Sequence, residues 1–153
     1  MAKIAKDIPL SEITLRRYEK PNLQGRELVR KLCLSLGLLQ PGDSRDVIVD
    51  VLHLILKERK DMNSEEIRQK VIDYRKNNNL ALFGVASSNI RRQLKRLRDV
   101  FLIEKQANSY RIMENLSMNE ILAEKIHKLM LPSILDRVNE YFDAVDKEFI
   151  NKE

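Results

Sequence analysis

The stretch SSNIRRQLKRLRDVFLIEKQANSYRI, residues 87–112, contains two patterns that together decide the fold. Five of the nine side chains from 90 to 98 are Lys or Arg, and none is acidic. At 100° per residue, the apolar positions share the opposite side of a helix. These positions are Ile90, Leu94 and Leu97. Two short β-rich runs around a polar turn follow, so the stretch predicts a basic amphipathic helix at about 87–99 and a β-hairpin at about 101–113.

Two further helices are predicted to precede the basic helix. An apolar stripe at helical spacing predicts the first at about 44–60. Asn63 or Ser64 can cap the second, at about 64–76, and Ser87 or Ser88 can cap the basic helix in the same way. The apolar run LALFGVA that precedes the basic helix is compatible with a packed loop, a half-turn or a strand edge.

Residues 1–42 are predicted to form an N-terminal helical extension. A short helix is expected from Ser11 to Lys20, because Pro21 would stop it, and a longer one at about 24–39. Cys33 lies at the border of the apolar face of the longer helix, which is typical of a small buried thiol.

Composition limits the class of protein. The chain has 153 residues, of which 43% are hydrophobic and 33% charged, with no Trp, four Gly and four Pro. These values favour a helix-rich globular protein over a barrel or a sandwich. No apolar run approaches the roughly 20 residues that cross a bilayer, and the start lacks the apolar core of a signal peptide. We therefore expect a cytoplasmic protein without membrane contact.

The net charge of +5 is unevenly distributed along the chain. Residues 1–42 carry +4, residues 43–113 carry +5, and residues 114–153 carry −4. A basic body with an acidic C-terminal third is the asymmetry expected when one region meets a polyanion and another does not.

The predicted order of elements resembles the winged helix-turn-helix family of DNA-binding regulators. NSEEIRQKV looks like the family's second helix, SSNIRRQLKRLRD like its recognition helix and FLIEKQANSYRIM like its wing. Members usually carry a Gly-Leu-Ile turn before the wing, where this chain has Phe101, Leu102 and Ile103. The resemblance implies a mainly α fold with a small β-hairpin, with the winged helix-turn-helix domain at 43–113.

The resemblance also implies that double-stranded DNA is the partner. The recognition helix would lie in the major groove, where an Arg side chain can bond O6 and N7 of guanine together. Arg92 and Arg96 are expected to read bases, and the other cations of the helix to contact phosphates. The two cations on the wing are expected to contact the DNA backbone or the minor groove. The residues expected to contact DNA are Ser88, Asn89, Arg91, Arg92, Lys95, Arg96, Arg98 and, on the wing, Lys105 and Arg111.

Two functions fit these patterns. The first is a sequence-specific transcription regulator. The second is a winged-helix protein-interaction or non-specific DNA-binding module of a transcription or replication assembly, because this fold also serves as an interaction module. A basic helix face can also be simply a solvated face.

Residues 114–153 are predicted to form a C-terminal helical segment. Beyond Pro132, five apolar residues follow one another at spacings of 3, 4, 3 and 4, which is a short coiled-coil-like seam. The seam residues are Leu135, Val138, Phe142, Val145 and Phe149. The seam either packs on its own domain, for example on the helix at 24–39, or forms the interface of a homodimer. We favour the homodimer because DNA regulators commonly bind as two-fold dimers.

The sequence contains no pattern typical of an enzyme. It has no glycine-rich phosphate loop, no nucleophile elbow and no Cys/His cluster at zinc-ligand spacing. His53 and His127 are expected to be ordinary surface or border histidines. We therefore predict no catalytic residue, no metal site and no cofactor.

Overall fold

Four helices enclose most of the core in the computed structural model, which describes residues 7–150. They are α1 (Gly25–Ser35), α2 (Val47–Glu58), α3 (Ser64–Asn77) and α4 (Ser87–Asp99). The strands are β1 (Met62–Asn63), β2 (Ile103–Gln106) and β3 (Ser109–Ile112). The predicted fold class is confirmed at this level, because the structure is mainly helical with a small antiparallel sheet.

The central element is α2, which contacts α1, α3, α4 and β3. Every residue from Val47 to Ile55 is buried, as expected of a helix covered on all sides. The expectation that His53 is an ordinary surface or border histidine is therefore wrong, because this residue is buried with the rest of that stretch. One hydrophobic core runs from Val29 in α1 to Ile121, so α1 belongs to the same packing unit as the basic helix.

The sheet has three strands in the order β1–β3–β2, all antiparallel. The hairpin was predicted, whereas β1 was not, because it has only two residues. Met62 pairs with Tyr110, and Asn63 pairs with Ser109. Asn63 also begins α3 through a capping box, in which its Oδ1 accepts from the Glu66 N–H at 2.8 Å. One residue therefore ends β1 and starts the next helix.

The predicted helix from Ser11 to Lys20 is absent, so only part of residues 1–42 is helical. The segment is instead held along the C-terminal end of α1. The Arg16 guanidinium donates to the carbonyl of Leu34, near the end of α1, at 2.9 Å and to that of Leu39, in the turn that follows, at 3.1 Å. Thr14 passes so close to Gly37 that a Cβ there would lie 2.4 Å from the Thr14 Cβ.

A long helical arm completes the chain. It consists of α5 (Met118–Ile121), a π-helical segment (Leu122–Met130) and α6 (Leu131–Phe149). Helical dihedral angles continue through the last junction, where Leu131 has φ −62° and ψ −46°. Pro132 lies in the first turn of α6, where it cannot donate the backbone hydrogen bond that a continuous helix would make. We call Met118–Phe149 the C-terminal arm.

No residue of α6 is buried. The five seam residues are between 45% and 77% exposed. The interpretation in which the seam packs on the helix at 24–39 is therefore wrong. Within residues 7–150, no helix has the length and apolarity needed to span a bilayer.

Candidate nucleic-acid interface

The basic helix α4 has one buried and one exposed side. Ile90, Leu94 and Leu97 are completely buried, and they fix the helix to the core through contacts of α4 with α2 and α3. The exposed positions are Ser88, Arg91, Arg92, Lys95, Arg98 and Asp99. The packing that the sequence predicts for α4 is therefore present, and its exposed side is dominated by cations.

The start of α4 is held by the preceding loop rather than by a serine cap. Ala86 is the N-cap residue and makes no side-chain cap bond, so the expectation that Ser87 or Ser88 caps the helix is wrong. The Ser87 hydroxyl donates to the Glu65 carboxylate at 3.2 Å. Ser88 remains exposed on the outer side of the first turn.

Asn89 is engaged within the protein. Its Nδ2 donates to the Gly84 carbonyl at 2.8 Å, and its Oδ1 accepts from Gln93 Nε2 at 3.0 Å. The side chain is only partly exposed. Asn89 therefore ties the loop to the first turn of α4, whereas the sequence suggested that it faces a base.

Arg96 is engaged more firmly. Its Nη2 donates to the Leu38 carbonyl at 2.6 Å, and its Nη1 donates to Gln93 Oε1 at 2.8 Å. Arg96 was expected to stand free on the exposed side as a base-reading residue, and this expectation is wrong. It connects α4 to the turn that follows α1.

Three arginines of α4 remain available. Within residues 7–150, no carboxylate lies within 4.0 Å of the guanidinium groups of Arg91, Arg92 or Arg98. Lys95 pairs with Asp99 at 3.0 Å, but both side chains are more than half exposed. Such an exposed pair contributes roughly 0.3–0.5 kcal/mol, so Lys95 can exchange this partner at little cost.

The hairpin borders the same exposed side. A groove of about 270 Å³ lies where α4, the hairpin and the start of α3 meet, and it is lined by Asn63, Ser64, Glu65, Arg91, Lys105, Asn108 and Tyr110. Lys105 is exposed, and its Nζ lies 5.6 Å from the centroid of the Tyr110 ring. Lys105 therefore extends the cationic surface of α4 onto the hairpin.

Arg111 does not contribute in the same way. Its Nε donates to Glu104 Oε2 at 2.6 Å, and both side chains are largely covered. The two residues are direct cross-strand partners in the hairpin. Of the two cations predicted on the wing, Lys105 is free to meet a partner and Arg111 stabilises the hairpin.

The structure also contains a buried charge cluster that the sequence did not predict. Asp50 of α2 is completely buried and accepts from Arg26 Nε at 2.8 Å and from the Arg75 guanidinium. Asp46 accepts from Arg26 at 3.0 Å and from Arg30 at 3.1 Å. Burial acts to lower the pKa of Arg26, but the hydrogen bonds to Asp50 and Asp46 outweigh it and hold that pKa above its usual value. The cluster joins α1, α2 and α3.

The cluster also reaches the loop before α4, because Arg75 Nε donates to the Ala81 carbonyl at 2.6 Å. A signal for it exists in the sequence. Asp46 and Asp50 are four residues apart, as are Arg26 and Arg30, so each pair shares one side of its helix. Asp50 interrupts the otherwise apolar run VIVDVL, where a lone carboxylate requires a partner.

Cys33 and His53 are both buried. Burial raises the pKa of the Cys33 thiol to about 12. Burial also lowers the pKa of His53, and the nearby Lys57 charge acts in the same direction. The His53 ring packs edge-on against Tyr74 at 5.4 Å, and its Nδ1 has no hydrogen-bond partner among the described residues. Both side chains are packed as parts of the core.

No family model, no curated protein and no solved structure matches this chain.

Proposed function

We propose that this protein is a sequence-specific DNA-binding transcription regulator that inserts the exposed side of α4 into the major groove. The observation that carries the proposal is the group of Arg91, Arg92 and Arg98. These three cations stand on the exposed side of a helix that is packed on the core, and within residues 7–150 no carboxylate lies within 4.0 Å of their guanidinium groups. A helix of this kind fits the groove and can reach base edges and phosphates together.

The arrangement of elements supports this proposal. The order expected from the winged helix-turn-helix resemblance is present, with α2, α3, α4 and the β2–β3 hairpin in succession. Phe101 occupies the position where members of that family carry glycine, and its φ of 65° lies in the left-handed region that favours glycine. The backbone therefore makes the turn that a glycine would serve, although the side chain differs.

The contacts within the protein refine the roles of individual residues. Arg92 is the proposed base-reading residue, with Ser88 one turn earlier on the same side. Arg91, Arg98 and Lys95 are proposed to contact phosphates, which set the register but carry no sequence information. Lys105 extends these contacts onto the wing. The polar groups of Asn89, Arg96 and Arg111 bond within the protein, so these residues are proposed to stabilise the fold and not to contact DNA.

The C-terminal arm supports dimeric binding. Its seam is exposed and apolar, and α6 carries five acidic and two basic residues. Like-charge repulsion would keep such an arm away from DNA phosphates. A second copy that covers the seam would bring two α4 helices to one duplex, as two-fold regulators do on palindromic sites.

Selection from a randomised duplex pool at two salt concentrations tests the proposal. We expect one motif to be enriched, and Arg92→Ala to relax discrimination at defined base positions by roughly 1–3 kcal/mol. Arg137→Ala, on the C-terminal arm, is the matched control and should select the parental motif. Steeply salt-dependent binding without enrichment would support the non-specific module instead. Absence of DNA binding would support a protein-interaction module.

A further inference from the structure

The loop between α3 and α4 exposes two apolar side chains. Phe83 is 74% exposed and Leu82 is 43% exposed, and we call this pair the loop tip. An isolated exposed apolar residue is ordinary on a protein surface. The surroundings of the loop tip distinguish it from that case, because its backbone is held by side-chain hydrogen bonds and is joined to the first turn of α4.

The backbone of this loop is held by three side chains. Arg75 Nε donates to the Ala81 carbonyl at 2.6 Å, and Arg68 Nε donates to the Val85 carbonyl at 2.7 Å. Asn89 Nδ2 donates to the Gly84 carbonyl at 2.8 Å. Gly84 has φ +78°, and a Cβ there would lie 3.1 Å from the Asn89 amide nitrogen. The loop is therefore already ordered in the folded protein, and binding of a partner would not cost the conformational entropy of ordering it.

The charge around the loop tip favours an anionic partner. Residues 74–98 contain seven Lys or Arg residues and no Asp or Glu. Arg75 and Arg96 bond within the protein, and the other five cations are exposed. The bond between Gly84 and Asn89 joins the loop to the first turn of α4. In helix-turn-helix proteins, that end of the recognition helix contacts base edges. Phe83 directly precedes Gly84, so it lies near the first turn of α4, which carries the exposed Ser88.

We propose that Phe83 contacts the 5-methyl group of a thymine in the major groove, and that this contact makes thymine a required base at one position of the site. The inference rests on the proposed function. The thymine methyl is the apolar group that base pairs present in this groove, and phenylalanine is among the side chains that recognise it. The contact adds specificity that the hydrogen-bonding residues of α4 do not supply.

Replacement of thymine by deoxyuracil in the selected duplex tests this inference, because it removes one methyl group and leaves the hydrogen-bonding edges intact. The measured quantity is the ratio of affinities for the thymine and deoxyuracil duplexes, taken position by position. For the parent protein we expect a ratio of roughly three to five at one position in each half-site, the factor that burial of a methyl group supplies. Phe83→Ala should bring that ratio to about one.

Two further variants sharpen the test. Phe149→Ala removes an aromatic side chain that is similarly exposed, at 77%, and should keep the parental ratio even if the overall affinity falls. Arg92→Ala should keep the thymine dependence while losing discrimination elsewhere. Circular dichroism of Phe83→Ala should match the parent, because the side chain is exposed.

Several results would overturn the inference. The inference is wrong if the parent protein binds its selected motif with equal affinity for the thymine and deoxyuracil duplexes. It is also wrong if the thymine dependence persists in Phe83→Ala. A change in sedimentation of Phe83→Ala with an unchanged thymine ratio would place the loop tip in a protein interface instead. In each case the selected motif, and with it the proposed function, would stand. If the parent protein binds no duplex, both the thymine contact and the proposed DNA-binding function are wrong.

Discussion

The guanidinium of Arg96 donates a 2.6 Å hydrogen bond to the backbone carbonyl of Leu38, which links the basic helix to the turn after α1. Arg92, one helical turn earlier, has no comparable bond and is exposed. Two arginines of the same helix thus have different tasks, and their substitutions should separate stability from binding.

We expect Arg96→Ala to lower the free energy of unfolding by about 1–3 kcal/mol, because it leaves a partly buried carbonyl and Gln93 without their charged donor. Arg92→Ala should change that free energy by no more than about 0.5 kcal/mol. Urea denaturation followed by circular dichroism measures both. Equal effects of the two substitutions would contradict the assignment of Arg96 to the fold.

Removal of the Asp50 carboxylate should be among the most destabilising single changes. Asp50→Ala leaves the buried guanidinium groups of Arg26 and Arg75 without their main counter-charge, and we expect a loss of about 3–5 kcal/mol. Asp99→Ala, which breaks the exposed pair with Lys95, is the matched control and should cost less than about 1 kcal/mol. A similar small loss for both would mean that the cluster carries no net stabilisation.

The salt dependence of DNA binding should report the phosphate contacts. Each contact releases condensed counterions, so Arg91→Ala or Arg98→Ala should reduce the slope of log affinity against log salt by about 0.9. The sequence preference should remain, because phosphate contacts carry no base information. Fluorescence anisotropy at four or five salt concentrations measures the slope. An unchanged slope would show that these arginines lie outside the interface.

Dimerisation should depend on the C-terminal arm. We expect a chain lacking residues 133–153 to sediment as a monomer and to bind its duplex more weakly, because the apolar seam is then absent. Phe142→Glu should act in the same direction through a single charge within the seam. Glu140→Lys, on the opposite side of α6, should leave the dimer intact. A truncated chain that still sediments as a dimer would refute this interface.

Cys33 should be inert in the folded protein at neutral pH. Burial raises its pKa to about 12, whereas an unfolded thiol ionises near 8.5. The unfolded state therefore loses this proton first, and stability should fall as pH rises between about 8.5 and 12. Alkylation by iodoacetamide at pH 8 should proceed only through the small unfolded fraction, and Cys33→Ala should flatten the alkaline part of the stability profile. Rapid alkylation without denaturant would contradict this burial.

Elements with strong periodicity could be predicted closely. The basic helix was expected at 87–99 and is found at Ser87–Asp99, because its apolar side alone determines the packing. The strand β1 could not be predicted, since two residues carry no period and depend on pairing with β3. The segment from Ser11 to Lys20 has residues compatible with a helix, but Arg16 finds better partners in the carbonyls at the end of α1.

The candidate site was predicted only in part for a similar reason. Helix geometry gives the direction of a side chain but not what it meets in another element. Arg96 points to the border of the exposed side, and only the fold brings the Leu38 carbonyl within its reach. The buried cluster was not predicted, because the partners of Asp46 and Asp50 come from α1 and α3, which are far apart in sequence.

The π-helical segment Leu122–Met130 has a consequence for geometry at a distance. A turn of this kind holds more residues than an α-helical turn, so it rotates everything beyond it about the helix axis. Deletion of one residue there would turn the seam by about 100° and shorten the arm by about 1.5 Å. In the proposed dimer, the spacing and mutual orientation of the two copies would therefore depend on a segment that begins about thirty residues after Arg92, the proposed base-reading residue.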